Sequence, residues 1–150
     1  MLLEVKDLNI EFYDTQPPQK VVKGISFSME PGEILGIVGE SGSGKTQTAL
    51  SILQLLKSNS GISSGEILFK GKNLAGLSAR QLQTIRGKEI SMIFQEPMTS
   101  LNPVLTIGRQ VEEALKIHGE TDREKRRSLA LEALSEAGLG DPDGIYRKYP

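Results

Sequence analysis

The eight residues Gly39-Glu40-Ser41-Gly42-Ser43-Gly44-Lys45-Thr46 constrain this chain more than any other stretch. They match the pattern G-x-x-x-x-G-K-[ST] in full. Alone, that spacing also fits a glycine-rich surface turn; its flanks decide. Ile34-Leu35-Gly36-Ile37-Val38 before it is a short apolar run, the pattern of a strand buried on both faces of a parallel sheet. Ala49, Ile52, Leu53 and Leu56 behind it recur at helical spacing. Strand, glycine loop and helix in that order make an anion site. The glycines let successive backbone N–H groups turn inward. The helix N-terminus adds free donors and partial positive charge. In such a loop Lys45 reaches the β- and γ-phosphates and the Thr46 hydroxyl ligates Mg²⁺.

The rest of the chain reads as strands first and helices later. Residues 3–12 hold Val5, Leu8, Ile10 and Phe12 in loose alternation, and Val21 to Met29 alternates again. This predicts an antiparallel pair, broken by Gln16-Pro17-Pro18-Gln19 and followed by a turn at Glu30-Pro31-Gly32-Glu33. Ser58 to Gly65 reads as a Ser/Gly-rich loop, Glu66 to Phe69 as a short strand, and Lys70 to Asn73 as its turn. Ser78-Ala79-Arg80-Gln81 fits a capping box. Ile90 to Phe94 is a second buried-type strand.

From Thr106 the period becomes helical. Ile107, Val111, Ala114, Leu115 and His118 share one face. Thr121-Asp122-Arg123-Glu124 fits another capping box, ahead of a stripe at Ala130, Ala133, Leu134 and Ala137. Gly138, Gly140 and Pro142 are expected to end that helix. Residues 1–105 therefore read as an α/β unit and 106–150 as helical.

Composition narrows the function classes. Lys plus Arg is 18 and Asp plus Glu is 19, a net charge of -1, which argues against nucleic-acid binding through bulk charge. There are no cysteines, so disulfides, thiolate metal sites and Cys nucleophiles are excluded. No run of 18 apolar residues exists, and the N-terminus carries charges where a signal peptide needs apolar residues. The chain reads as cytosolic. His118, the single histidine, cannot join a His-cluster metal site and reads as a packing or capping residue. Arg123 to Arg127 reads as a solvated helix face, with a lipid-headgroup contact as the alternative.

A guanine-nucleotide enzyme would also carry Asn-Lys-x-Asp, which is absent. Asp141-Pro142-Asp143-Gly144 matches a D-x-x-G element but follows a helix, so it reads as a turn. Gln95 is more informative. It closes a strand at the C-terminal end, where open α/β sheets bind ligands. Its amide could ligate Mg²⁺ or hold an attacking water; the plain alternative is a polar residue closing a strand.

Three stretches together carry a family resemblance. Leu35 to Thr46 resembles the Walker A segment of the nucleotide-binding subunit of ATP-binding cassette (ABC) transporters. Gly65-Glu66-Ile67-Leu68-Phe69-Lys70-Gly71 resembles its following hairpin, and Phe94-Gln95-Glu96-Pro97 its Q-loop. Gln95 to Pro103, followed by Ile107-Gly108, is similar to the branch importing dipeptides, oligopeptides and nickel. The resemblance covers essentially the whole chain.

It implies an α/β P-loop nucleotide-binding domain, truncated. Residues 1–105 would be the antiparallel β-subdomain and a partial parallel core sheet, and 106–150 the start of a helical subdomain. It implies ATP and Mg²⁺ as cofactors. Phe12, or Tyr13 if the register shifts by one, would stack on adenine. Gly39, Glu40, Ser41, Gly42, Ser43, Gly44, Lys45 and Thr46 would hold the phosphates. Gln47 would add a backbone or side-chain contact. Lys45 and Gln95 would serve catalysis, with Thr46 and Gln95 at the metal. Met98 to Leu115 would face the permease. Implied partners are transmembrane permease subunits, a second ATP-binding subunit and, indirectly, an extracytoplasmic solute-binding protein, on the cytoplasmic face of the membrane.

No Leu-Ser-Gly-Gly signature, Walker B carboxylate or switch histidine is found. In the resembling family the signature follows a segment like Tyr146-Arg147-Lys148-Tyr149-Pro150. The chain is therefore expected to be an N-terminal part, marginally stable, binding nucleotide weakly and not turning it over. An importer ATPase is the leading reading. A non-transport ABC ATPase, a non-catalytic nucleotide-binding module and a small-molecule kinase are the competitors.

Overall fold

The computed structural model describes residues 1–95 and 100–150. They fall into two compact units, Met1–Leu82 and Gln83–Pro150, a division that lies ahead of the change of hydrophobic period at 105/106.

The first unit is built on one sheet. Strand β1 spans Leu3–Phe12 and β2 spans Gln19–Met29. Helix α1 follows at Lys45–Ile52, then β3 at Ser60–Phe69 and β4 at Lys72–Asn73. The sheet order is β2-β1-β3-β4, with every pairing antiparallel. One face is the core: Val5, Leu8, Ile10 and Ile67 are fully buried, joined by Val22, Phe69 and Leu74. Helix α1 adds Thr48 and Ser51, whose hydroxyls donate to the Gly44 and Thr48 carbonyls. Their polarity is therefore satisfied inside the helix. Helix α2, Ala79–Ile85, starts from the expected box: the Ser78 N–H donates to Gln81 Oε1 at 3.0 Å and the Gln81 N–H to Ser78 Oγ at 3.4 Å.

Strand β3 is longer than the sequence pattern predicts. Ser60 to Gly65 is not a loop but part of β3, and Ser60 to Ser64 pairs with Asn9 to Phe12. Two glycines hid it. A Cβ at Gly61 would lie 2.8 Å from the Tyr13 hydroxyl, so the bare backbone accommodates that ring. Gly65, at φ +98°, opposes a bulge in β1, where a Cβ would lie 2.5 Å from the Asp7 carbonyl oxygen. The bulge keeps its polar groups bonded. The Asp7 N–H donates to Ser26 Oγ at 2.9 Å and the Gly24 N–H to Asn9 Oδ1 at 3.1 Å.

The expected parallel core strands do not form. Ile34 to Val38 has no ladder partner, and Ile34 and Val38 are 100% and 93% exposed. Ile90 to Phe94 has only a single parallel bridge, Arg86 to Ile90, and Ile93 is 93% exposed. An apolar run becomes a buried strand only when neighbouring strands pair with its backbone. Among the described residues no ladder forms along either run, so the sheet is antiparallel only.

The second unit is helical. Helix α3 spans Ile107–Ile117, α4 spans Arg123–Glu136 and α5 spans Pro142–Arg147. Thr106 caps α3 by accepting the Arg109 N–H. Asp122, not Thr121, caps α4; its carboxylate accepts the Lys125 N–H at 3.0 Å. Both helices close on a left-handed glycine: Gly119 follows α3 and Gly138 follows α4. The Glu120 N–H returns to the Leu115 carbonyl and the Leu139 N–H to the Leu134 carbonyl, the bonds of a Schellman closure. His118 is the C-cap of α3, so its expected capping role is met. Asp141-Pro142-Asp143-Gly144 is not a free turn but the start of α5, with Asp141 Oδ1 accepting the Gly144 N–H and Pro142 in the first turn.

Tyr146 locks the three helices together. Its hydroxyl donates to Glu112 of α3, and the Arg127 guanidinium lies 5.3 Å from its ring centre. Gly108 must lack a side chain because a Cβ there would enter the Tyr146 ring. The basic run on α4 is only partly solvated. Arg126 turns inward to the Glu120 and Thr121 carbonyls, and Arg127 pairs with Asp143 at 2.8 Å. Leu8→Ala is expected to destabilise the first unit by about 2–5 kcal/mol, read by urea unfolding. The hydrogen bond to Glu112, with partial burial, raises the Tyr146 phenol above its ordinary range. That bond is therefore fully present below the free phenol pKa of about 10 and lost as pH rises through the raised value. Tyr146→Phe is expected to cost about 1 kcal/mol near neutral pH, with the difference from wild type vanishing in strong base.

Candidate nucleotide-binding site

The glycine loop meets the sheet at one point. Gly44, buried and at φ +91°, is the N-cap of α1. A Cβ there would lie 2.8 Å from Val22 Cγ2 and 3.0 Å from the Val21 carbonyl oxygen. Only glycine lets the helix start this close to β2. Gly42 is also left-handed, at φ +80°, which turns the loop back before the helix. The Ser43 N–H donates to the Glu40 carbonyl at 3.2 Å, closing the turn.

Lys45 leaves the first turn of α1 and crosses the loop. Its Nζ donates to the Gly39 carbonyl at 2.6 Å and the Glu40 carbonyl at 2.7 Å. Ser43 Oγ lies 3.5 Å away. A single ammonium thus staples both ends of the loop while remaining part-exposed, which sets the loop's curvature and keeps positive charge at its mouth.

A cavity of about 580 Å³ opens beside this loop. From the loop side it is lined by Val38, Gly39, Gly42, Ser43 and Lys45, with Thr48 behind. The opposite wall is the outer edge of β2, from Gln19 to Lys23, with Ile25. The lining holds three lysines, Lys20, Lys23 and Lys45, and no carboxylate. Such a wall, with a helix N-terminus at its base, fits a polyanion of phosphate groups. The β2 residues carry no local sequence signal for this role. They reach the site because the β1–β2 register sets that strand as the sheet edge beside the loop.

The sequence-predicted residues divide into groups. Gly39, Gly42, Ser43 and Lys45 line the cavity. Gly44 forms its floor through its contact with β2. Glu40, Ser41 and Thr46 are exposed on the same loop and first helical turn. Gln47 is part-buried, and its Oε1 is enclosed with no hydrogen-bond partner among the described residues. Phe12 ends β1 in a part-buried position, paired with Gln19 and Ser60, and is not in the cavity wall. Tyr13, the alternative, is 49% exposed and lies over Gly61. Gln95 is exposed and belongs to the second unit. Glu96, Pro97, Met98 and Thr99, the remainder of the Q-loop-like segment, lie outside the described residues. Among the described residues no cluster of three Asp, Glu or His groups could hold a metal, and no helix is long and apolar enough to cross a membrane.

Comparison with known proteins gives one consistent answer. A family model described as ABC transporter matches residues 22–148. A probable peptide ABC transporter ATP-binding protein of Sinorhizobium fredii is 48% identical, covering 100% of this chain and 45% of that protein. The oligopeptide transport ATP-binding protein OppD of Bacillus subtilis is 44% identical over 99% of this chain and 42% of its own length. For the dipeptide transport ATP-binding protein DppD of Escherichia coli the identity is 40%, over 99% of this chain and 46% of that protein. The chain spans less than half the length of these curated relatives. Among solved structures, a dimeric bacterial ABC transporter cassette superposes with a TM-score of 0.82 at 27% identity, over 99% of this chain and 62% of that one. Its dimeric post-hydrolysis state, bound to ADP and Pi, gives a TM-score of 0.80 at 26% identity. With the family model matched across 127 of the 150 residues (22 to 148), a stretch that includes the glycine loop and its helix, the chain belongs to the ABC transporter family.

Proposed function

We propose that this chain binds ATP in the cavity between the Gly39–Thr46 loop and β2, as part of the ATP-hydrolysing subunit of an importer for peptides or related small solutes. The observation that carries the reading is the cavity itself: three lysines, no carboxylate, and a glycine-rich turn opening onto a helix N-terminus. The names of the relatives support peptides as the solute class.

Each residue then has a chemical task. The loop's backbone N–H groups and Lys45 cradle the phosphates, with charge-assisted bonds stronger than neutral ones. Thr46 presents a free hydroxyl suited to Mg²⁺, a hard cation that takes oxygen ligands and keeps phosphate oxygens among them. Gln95 senses the terminal phosphate and the metal. Phe12 offers a π-face to adenine, and Gln47 a further backbone or side-chain contact. Bound ATP supplies the energy of a phosphoanhydride; the chain's residues bind and orient it. The permease subunits, a second ATP-binding subunit and an extracytoplasmic solute-binding protein complete the transporter at the cytoplasmic face of the membrane, with the segment 98–115 toward the permease.

Lys45→Ala is expected to weaken binding of a fluorescent ATP analogue at least tenfold, the loss of about 1.4 kcal/mol or more from one charged contact. Equal binding by the wild type and this variant would sink the site assignment. Gly44→Ala is expected to weaken it further, because the new methyl collides with Val22 and the backbone leaves the left-handed region. Phosphate release from the 150-residue chain is expected not to exceed the Lys45→Ala control. For transport, cells carrying the Lys45→Ala allele in the full-length gene are expected to lose peptide uptake; undiminished uptake would refute the peptide-importer reading.

A further inference from the structure

Lys23 is a cation with no assigned work. It sits on the outer edge of β2 and lines the same cavity as Lys45. Among the described residues its side chain has no hydrogen bond or ion pair. Its two lysine companions differ. Lys45 is engaged by the Gly39 and Glu40 carbonyls, and Lys20 has Glu11 at 3.9 Å to offset its charge. Lys23 alone brings an uncompensated charge to the wall opposite the loop.

A lysine on an exposed strand edge is usually explained by solubility or by blunting that edge against wrong pairing. Here a second observation applies. The close approach of Gly44 to Val21 and Val22 sets Lys23 one residue beyond the contact that forms the floor of the loop. The edge strand and the loop thus converge on one volume of about 580 Å³ whose lining has no negative group. In a concave, one-sign site the potentials of separate charges add.

We infer that Lys23 is a second phosphate-directed residue of this cavity, acting on the polyphosphate part of the nucleotide from the β2 side. The inference rests on the nucleotide reading of the cavity and adds a specificity determinant to it. Lys23 favours highly charged polyphosphates over less charged ligands and contributes nothing to recognition of the uncharged base and sugar. Lys20 contributes less because Glu11 shares its charge.

The test is competition against a fluorescent ATP analogue on the purified protein, in low and in moderate salt. The competitors are inorganic tripolyphosphate and adenosine. Lys23→Gln is expected to weaken tripolyphosphate roughly three- to tenfold at low salt, to leave adenosine unchanged and to flatten the salt dependence. Lys23→Arg is expected to restore wild-type values, and Lys20→Gln to have a smaller effect than Lys23→Gln. Unchanged tripolyphosphate binding in Lys23→Gln would overturn the inference. So would equal weakening of tripolyphosphate and adenosine, which marks a packing effect, and so would a wild type that does not bind tripolyphosphate. The underlying nucleotide reading fails separately: in that case Lys45→Ala also competes as wild type.

Discussion

The distance between one glycine and one strand edge organises the first unit. Gly44 sits where a helix N-terminus, a phosphate-type loop and an edge strand share space. Because nothing projects from its Cα, α1 begins against Val21 and Val22 rather than a side chain's width away. That brings the free N–H groups of the first helical turn and the outer rim of β2 to one cavity. The loop's glycines then work on a fixed base, and Lys45 ties the two ends of the loop across it. Any side chain at position 44 would separate these parts together, not one at a time.

Charge in this chain is local. The whole sequence is nearly neutral, at a net -1. The cavity beside the glycine loop nonetheless gathers three lysines with no acid in its lining. Elsewhere several basic residues are answered at short range: Lys125 by Glu120, Arg127 and Arg147 by Asp143, Arg126 by Glu112 and two carbonyls. Exposed pairs of this kind contribute little to stability.

Much of this was legible in the residues. The alternation in β1 and β2 named the core face, since Val5, Leu8 and Ile10 alternate with polar neighbours and are buried. The Ser78 box and the helices after Thr106 were readable because caps and period are short-range signals. Three things were not. The Ser/Gly-rich half of β3 lacks strand composition because its glycines accommodate a Tyr ring and a bulge, both set by β1. The runs at 34–38 and 90–94 have the composition of buried strands, but pairing partners are a property of the fold, not of a pentapeptide. The β2 wall of the cavity carries no motif, since a strand's outer edge is defined only by what fails to lie beside it.

The three helices of the second unit form a segment whose two ends meet. The Ile107 N–H donates to the Lys148 carbonyl at 2.9 Å, so the chain enters α3 and leaves α5 at the same point. Everything between is a closed excursion, pinned at its neck and internally held by the Tyr146 hydroxyl and the Gly108 gap. Segments whose two ends coincide can be lengthened, shortened or exchanged without displacing the polypeptide on either side, the geometry that permits insertion of one domain into another. The neck at Ile107 and Lys148 makes this helical part a graft: its interior can change while the chain before Ile107 keeps its course.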